Sequence, residues 1–140
     1  MRIDRIPAVL KSLGLRDTRP RRMVLCCLAD ADRPLSPQDI HERIRSVGRS
    51  VNLVTVYRVL EALEETGLVH RHPCDGGITL CTRPGTGGHH GFLHCVGCGQ
   101  TQEFVSEELA RAEDVITSRI GFVPASRMSE LTGRCAACAR

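Results

Sequence analysis

The 140-residue chain predicts an α+β fold of two domains, a mainly helical one first and a small α/β one after it. Three features carry that expectation. Before residue 67, apolar side chains recur at helical spacing in four runs set apart by glycines or capping residues. Two short β-type stretches then flank Gly76-Gly77, the composition of a hairpin turn. Beyond a Pro/Gly-rich stretch at 83–88, one amphipathic run lies between two C-x-x-C pairs, Cys95/Cys98 and Cys135/Cys138.

Ile6, Val9, Leu10 and Leu13 share one helical face, and Gly14 stops that first run. Thr18 is placed to cap a second helix whose stripe is Met23, Val24, Cys27 and Leu28. Ser36, Pro37 and Asp39 read as N-cap, first-turn proline and reciprocal acid of a third helix. Ile40, Ile44 and Val47 follow on its inner face before Gly48. Asn52 opens a fourth helix, in which Leu53, Val56, Leu60 and Leu63 recur before Gly67. Residues 68–72 and 78–81 form the hairpin. Helices closed by such a hairpin are the layout of a winged helix-turn-helix domain, assigned to residues 1–82, with 83–88 as a hinge linker. Residues 89–140 make the second domain: strands at 92–95 and 101–105, a helix over 107–120 with Leu109, Ala112 and Ile116 inside, and a strand over 121–131. So short a segment cannot build a generous core, and a metal staple or a dimer interface is expected there.

Composition excludes several classes. The chain is 41% hydrophobic and 25% charged, which rules out global disorder, and at 3% aromatic its core must be aliphatic. The longest apolar run, residues 23–29, falls far short of the ~20 residues of a membrane helix. The N-terminus lacks the apolar core of a signal peptide, so a cytoplasmic protein without a membrane partner is expected. The formal charge is +3, with the excess confined to the first 80 residues, and Lys11 is the one lysine beside eighteen arginines. Arginine's planar fork matches phosphates and guanine edges. A GC-rich genome also converts lysine to arginine, so composition alone does not decide.

The paired C-x-x-C turns carry the firmest chemistry. Each sets two thiolates on one edge of a metal, and two such turns complete a tetrahedral structural zinc site of Cys95, Cys98, Cys135 and Cys138. The helix from Asn52 carries the next. Its apolar stripe leaves Asn52, Thr55, Tyr57 and Arg58 on the opposite face of its first two turns, where a recognition helix presents residues to base edges. Arg16, Arg19, Arg21 and Arg22 lie upstream to meet phosphates of double-stranded DNA. The sequence has no G-x-S-x-G, P-loop or H-E-x-x-H, and no H-x-E beside its C-x-x-C pairs. No catalytic residue, enzymatic activity or small-molecule substrate is therefore expected. The leftover residues read as bland: Cys26 and Cys27 as small hydrophobes on a buried face, His41, His72 and Cys74 as exposed, and His94 as a neighbour of the zinc turn.

Gly14-Leu15-Arg16-Asp17-Thr18-Arg19, Leu35-Ser36-Pro37-Gln38-Asp39-Ile40 and Val54-Thr55-Val56-Tyr57-Arg58-Val59-Leu60 closely resemble the ferric uptake regulator family. Gly67-Leu68-Val69, His89-His90 and both C-x-x-C pairs do so too, in order along nearly the whole chain. The resemblance implies a homodimeric, metal-dependent transcription regulator whose C-terminal domain serves dimerisation and which binds palindromic operator DNA. Within that family, His70, Cys81, His89 (or His90) and Glu103 look like the sensing site of the zinc uptake branch. One thiolate, two imidazoles and a carboxylate suit zinc better than manganese or iron. Ser126 stands where the family commonly carries a further histidine ligand. The resemblance thus implies a zinc-responsive repressor of zinc uptake genes. An iron, manganese or peroxide sensor of the same family is the alternative, and a zinc-ribbon protein-interaction module the more distant one.

Overall fold

The computed structural model describes residues 5–73, 75–82, 84, 90–124 and 127–139. Among the described residues, five helices and five strands run in the order α1 (Ile6–Ser12), α2 (Arg19–Ala29), α3 (Pro37–Ser46), α4 (Leu53–Glu65), β1 (Val69–Arg71), β2 (Ile78–Leu80), β3 (His90–Cys95), β4 (Thr101–Val105), α5 (Glu107–Ile120) and β5 (Met128–Gly133). They divide into two compact units, residues 1–85 and 86–140. None of the described helices is long and apolar enough to cross a membrane.

Side-chain caps mark where α2, α3 and α4 begin, whereas Arg5 before α1 makes none. Thr18 accepts from the Arg21 amide at the start of α2. A reciprocal capping box opens α3: the Ser36 hydroxyl accepts from the Asp39 amide, and the Asp39 carboxylate accepts from the Ser36 amide at 3.1 Å. Asn52 Oδ1 accepts from the Val54 amide at 2.7 Å to start α4. The helices close on a continuous aliphatic core that includes Leu10, Val24, Leu25, Ile40, Val56, Leu60, Leu63 and Leu68. β1 and β2 pair antiparallel, Val69 with Leu80 and Arg71 with Ile78. Reciprocal backbone bonds between Leu35 and Ile78, at 3.0 and 2.8 Å, tie the hairpin to the start of α3.

Several details differ from the sequence reading. On α2, Leu25 is buried, whereas Cys26 and Cys27 are only half-buried. Val59 joins the inner face of α4, and Leu53 is half-buried because it sits at the helix's first turn. Val47 falls on the C-cap of α3, past the last helical residue, and is 69% exposed. His72 is not an exposed loop residue. It is 1% exposed, its backbone closes the turn to Gly76 and Gly77, and its Nε2 meets Thr79 Oγ1 at 2.9 Å. Cys74 lies outside the described residues.

In the second unit, β3 is the central strand of a three-stranded sheet ordered β4-β3-β5. It pairs antiparallel with β4, Phe92 opposite Glu103, and parallel with β5, His90 beside Met128 through Cys95 beside Gly133. Gly91 gives room to the Phe104 ring, since a Cβ there would lie 2.1 Å from Cζ. Ser106 caps α5, and Gly121, in the left-handed region at φ +67°, ends it. The expected burial of Leu109, Ala112 and Ile116 is not found: no residue of α5 is fully buried, and Ile116 is 60% exposed. β5 begins at Met128, and Phe122 and Val123, expected within a strand that began at 121, are exposed beyond the helix end.

Candidate metal centres and nucleic-acid face

The parallel pairing of β3 with β5 brings the two C-x-x-C turns together. Cys95 ends β3, its chain turns back through Gly99 at φ +72°, and the Val96 amide donates to the Gly133 carbonyl at 2.8 Å. β5 then leads into the Cys135–Cys138 turn, closed by the Cys138 amide on the Cys135 carbonyl. The four sulfurs lie within 4.8 Å of one another, and Cys98 Sγ is 3.9 Å from Cys135 Sγ. Zinc–thiolate bonds of ~2.3 Å give tetrahedral edges of about 3.8 Å, so the spacing fits that ion. The electrostatics fit as well. The Cys135 amide donates to Cys95 Sγ at 3.2 Å and, with the Cys98 amide, lowers the Cys95 thiol to about 6. Hydrogen bonds with Cys135, Cys98 and Cys95 push Cys138 up to about 12, because four adjacent thiols cannot all ionise without a cation. Gly97 completes the cradle: a Cβ there would meet Cys138 Cβ at 2.9 Å and Sγ at 3.0 Å.

Among the described residues, each unit also brings a further pair of donors together. In the first, His70 lies on β1 opposite Thr79, and Cys81 follows β2, its amide bonded to the Leu68 carbonyl at 2.9 Å. The hairpin pairing sets the His70 imidazole and the buried Cys81 thiol within 4.8 Å of each other. In the second unit, His90 opens β3 and its Nδ1 lies 2.6 Å from Glu103 Oε1 on β4, both side chains nearly buried. His90 is thus the histidine brought to Glu103. His89 and Ser126 lie outside the described residues. His94 meets Thr101 Oγ1 through Nδ1 at 3.2 Å.

On α4, Tyr57 and Arg58 are exposed, Thr55 is half-buried, and Asn52 is engaged as the cap. Arg16 and Arg19 are exposed upstream. Arg22 is held by both carboxylate oxygens of Asp17, with Nε at 2.6 Å from Oδ1, and this hydrogen bond keeps the Asp17 carboxyl below its usual range. Arg21 Nη1 donates to the Arg16 carbonyl at 2.6 Å. Gln38, to which the sequence assigns no role of its own, donates from Nε2 to Tyr57 Oη at 3.0 Å. Arg71, likewise without an assigned role, bonds Glu64 at 2.8 Å and joins the wing to the end of α4. Neither pairing leaves a local sequence signal, because the partners come from different elements.

A winged helix-turn-helix followed by a small sheet rich in thiolate and imidazole donors defines a metal-responsive regulator of transcription. Residues 12–130 match the model of the ferric uptake regulator family. The chain belongs to that family, whose members are transcription regulators and not enzymes. The ferric uptake regulation protein of Legionella pneumophila is 36% identical over 130 residues, 92% of this chain and 95% of the relative. The structure of holo XcZur superposes with a TM-score of 0.88 at 28% identity, covering 98% of this chain and 96% of that one. A zinc uptake regulator complexed with zinc and DNA gives 0.88 at 25% identity, covering 98% and 92%.

Proposed function

We propose that the protein is a zinc-responsive, cytoplasmic repressor that binds palindromic operator DNA as a homodimer and controls zinc uptake genes. The observation that carries the choice of metal is Cys81, a buried thiol within 4.8 Å of the His70 imidazole. A thiolate beside imidazoles favours zinc over manganese and, to a lesser degree, over iron. His90 and Glu103, already bonded at 2.6 Å, supply a second imidazole and a carboxylate from the other unit. The regulatory set in this reading is His70, Cys81, His90 and Glu103, and the structural set is Cys95, Cys98, Cys135 and Cys138. Asn52, Thr55, Tyr57 and Arg58 face the bases, and Arg16, Arg19 and Arg22 the backbone. The homodimer is supported by Val115, Ile116, Ile120, Phe122 and Val123, large apolar side chains left exposed along and just beyond α5.

The regulatory ligands come from both sides of the Pro/Gly-rich stretch 83–88. Engaged together, they restrict the angle between the two units, so that the two α4 helices of a dimer keep one spacing. If only about 1% of the metal-free population has that spacing, affinity is about 100-fold weaker without metal. An iron-responsive regulator is the second reading, favoured by the name of the Legionella relative. Duplex binding titrated with zinc, iron and manganese, together with metal analysis of the purified protein, decides between them. Zinc should restore binding at the lowest free concentration, and Cys81→Ser should abolish that response. Restoration by iron, with Cys81→Ser behaving as the wild type, would overturn the zinc reading.

A further inference from the structure

We infer that Gln38 is a positioning residue for DNA recognition, acting through the hydroxyl of Tyr57; the inference rests on the proposed DNA-binding function. Gln38 stands on the first turn of α3, immediately after Pro37 and inside the Ser36–Asp39 capping box, so its backbone is held at a fixed helix start. Tyr57 stands on the exposed face of α4, 37% accessible. The bond between them, Nε2 to Oη at 3.0 Å, spans the two helices of the helix-turn-helix.

Its direction matters. In this pairing the Gln38 amide nitrogen donates and the phenol oxygen accepts, which leaves the phenol's own hydrogen for another acceptor. Tyr57 stands on an exposed helix face, where a DNA duplex would supply one. Tyr57 is thereby presented as a donor to a hydrogen-bond acceptor of the duplex, either a phosphate oxygen or an acceptor on a base edge. Without Gln38 the ring would sample other rotamers and the hydroxyl hydrogen other directions, and binding would have to order both.

The chain has one tyrosine and no tryptophan, so its intrinsic emission reports Tyr57 alone. In the full-length, zinc-loaded protein without DNA, Gln38→Ala should lower the anisotropy of that emission while leaving the helical circular dichroism unchanged. Unchanged anisotropy would overturn the positioning role, whatever the DNA measurements give. The second arm is a cycle of Gln38→Ala, Tyr57→Phe and the double variant, on a near-palindromic duplex selected by the wild-type protein from a randomised pool. Each single change should weaken binding about 2- to 10-fold, the value of one hydrogen bond, and the double variant should be no weaker than Tyr57→Phe. A loss shared by all base-substituted duplexes places the acceptor on phosphate; a loss confined to one base pair places it on a base edge. Multiplying losses would overturn the inference by giving Gln38 a DNA contact of its own. A wild-type protein that selects no duplex overturns the DNA-binding reading instead, and the anisotropy distinguishes the two failures.

Discussion

A methyl group at residue 97 has no room. It would press on Cys138 Cβ and Sγ at 2.9 and 3.0 Å, so Gly97→Ala must shift one cysteine turn against the other. We expect this substitution to cost about 1–3 kcal/mol, the range of an overpacked site, and to release metal at lower chelator concentration than the wild type. Gly133→Ala is the control, since nothing lies within 4 Å of its Cβ position. Equal metal retention by both variants would remove the cradle argument. Among the arginines, Arg22 differs from Arg19 in being held by Asp17. Arg19→Ala should therefore flatten the salt dependence of duplex binding by about one phosphate contact, and Arg22→Ala by less. The reverse order would show that the Asp17 pair opens on DNA. The cysteine quartet was legible because C-x-x-C spacing is a property of the chain alone. The choice between His89 and His90 was not, because neighbouring strand residues face opposite sides and nothing in Gly88-His89-His90-Gly91 fixes the phase of β3.

Caps helped to make α2, α3 and α4 readable, and they also make those helices testable. Ser36→Ala should destabilise the first unit by about 1 kcal/mol, seen as a lower urea midpoint. Asp39 is the other half of that box, and the hydrogen bonds from the Ser36 hydroxyl and amide hold its carboxyl below the ordinary value of 3.8. Because the folded state lowers the value, the contribution of the carboxylate is complete above that pH and is lost as pH falls through the lower folded value. Acid should accordingly narrow the difference between wild type and Ser36→Ala, and a constant difference down to pH 2 would contradict the capping role. α5 shows the opposite case. Its period was readable and its ends match, but its burial was misjudged, because an apolar stripe announces a partner without saying which chain supplies it. Ile120, 73% exposed, is the position to test. Ile120→Asp should give a monomer in sedimentation with its helical content intact, and a stable dimer would refute the assignment of this face.

For the molecule as a whole, metal and DNA are linked ligands. If zinc raises affinity for a duplex by some factor, the duplex must raise affinity for zinc by the same factor. Calorimetric zinc titrations with and without the selected duplex should show tighter regulatory-site binding in its presence, by about 1–3 kcal/mol for a typical allosteric coupling. Identical isotherms would mean that the four regulatory donors do not control the DNA-binding unit. The donors of the proposed switch are spread over residues 70–103 without a local motif; hairpin pairing groups His70 with Cys81, and sheet pairing groups His90 with Glu103.

The parallel pairing of β3 with β5 also has a kinetic consequence. His90 must find Met128 and Cys95 must find Gly133, a loop of roughly forty residues, whereas the helices of the first unit form from near neighbours. The helical unit is therefore expected to fold early and the sheet late. Until β5 docks, Cys95 and Cys98 stand as a lone dithiol, open to oxidation or to a mixed disulfide. Metal capture at the proposed four-thiol site would end that exposure. The time needed to close one strand pair would then be the interval in which metallation competes with oxidation, and cellular redox poise would enter the supply of this regulator before any question of its occupancy arises.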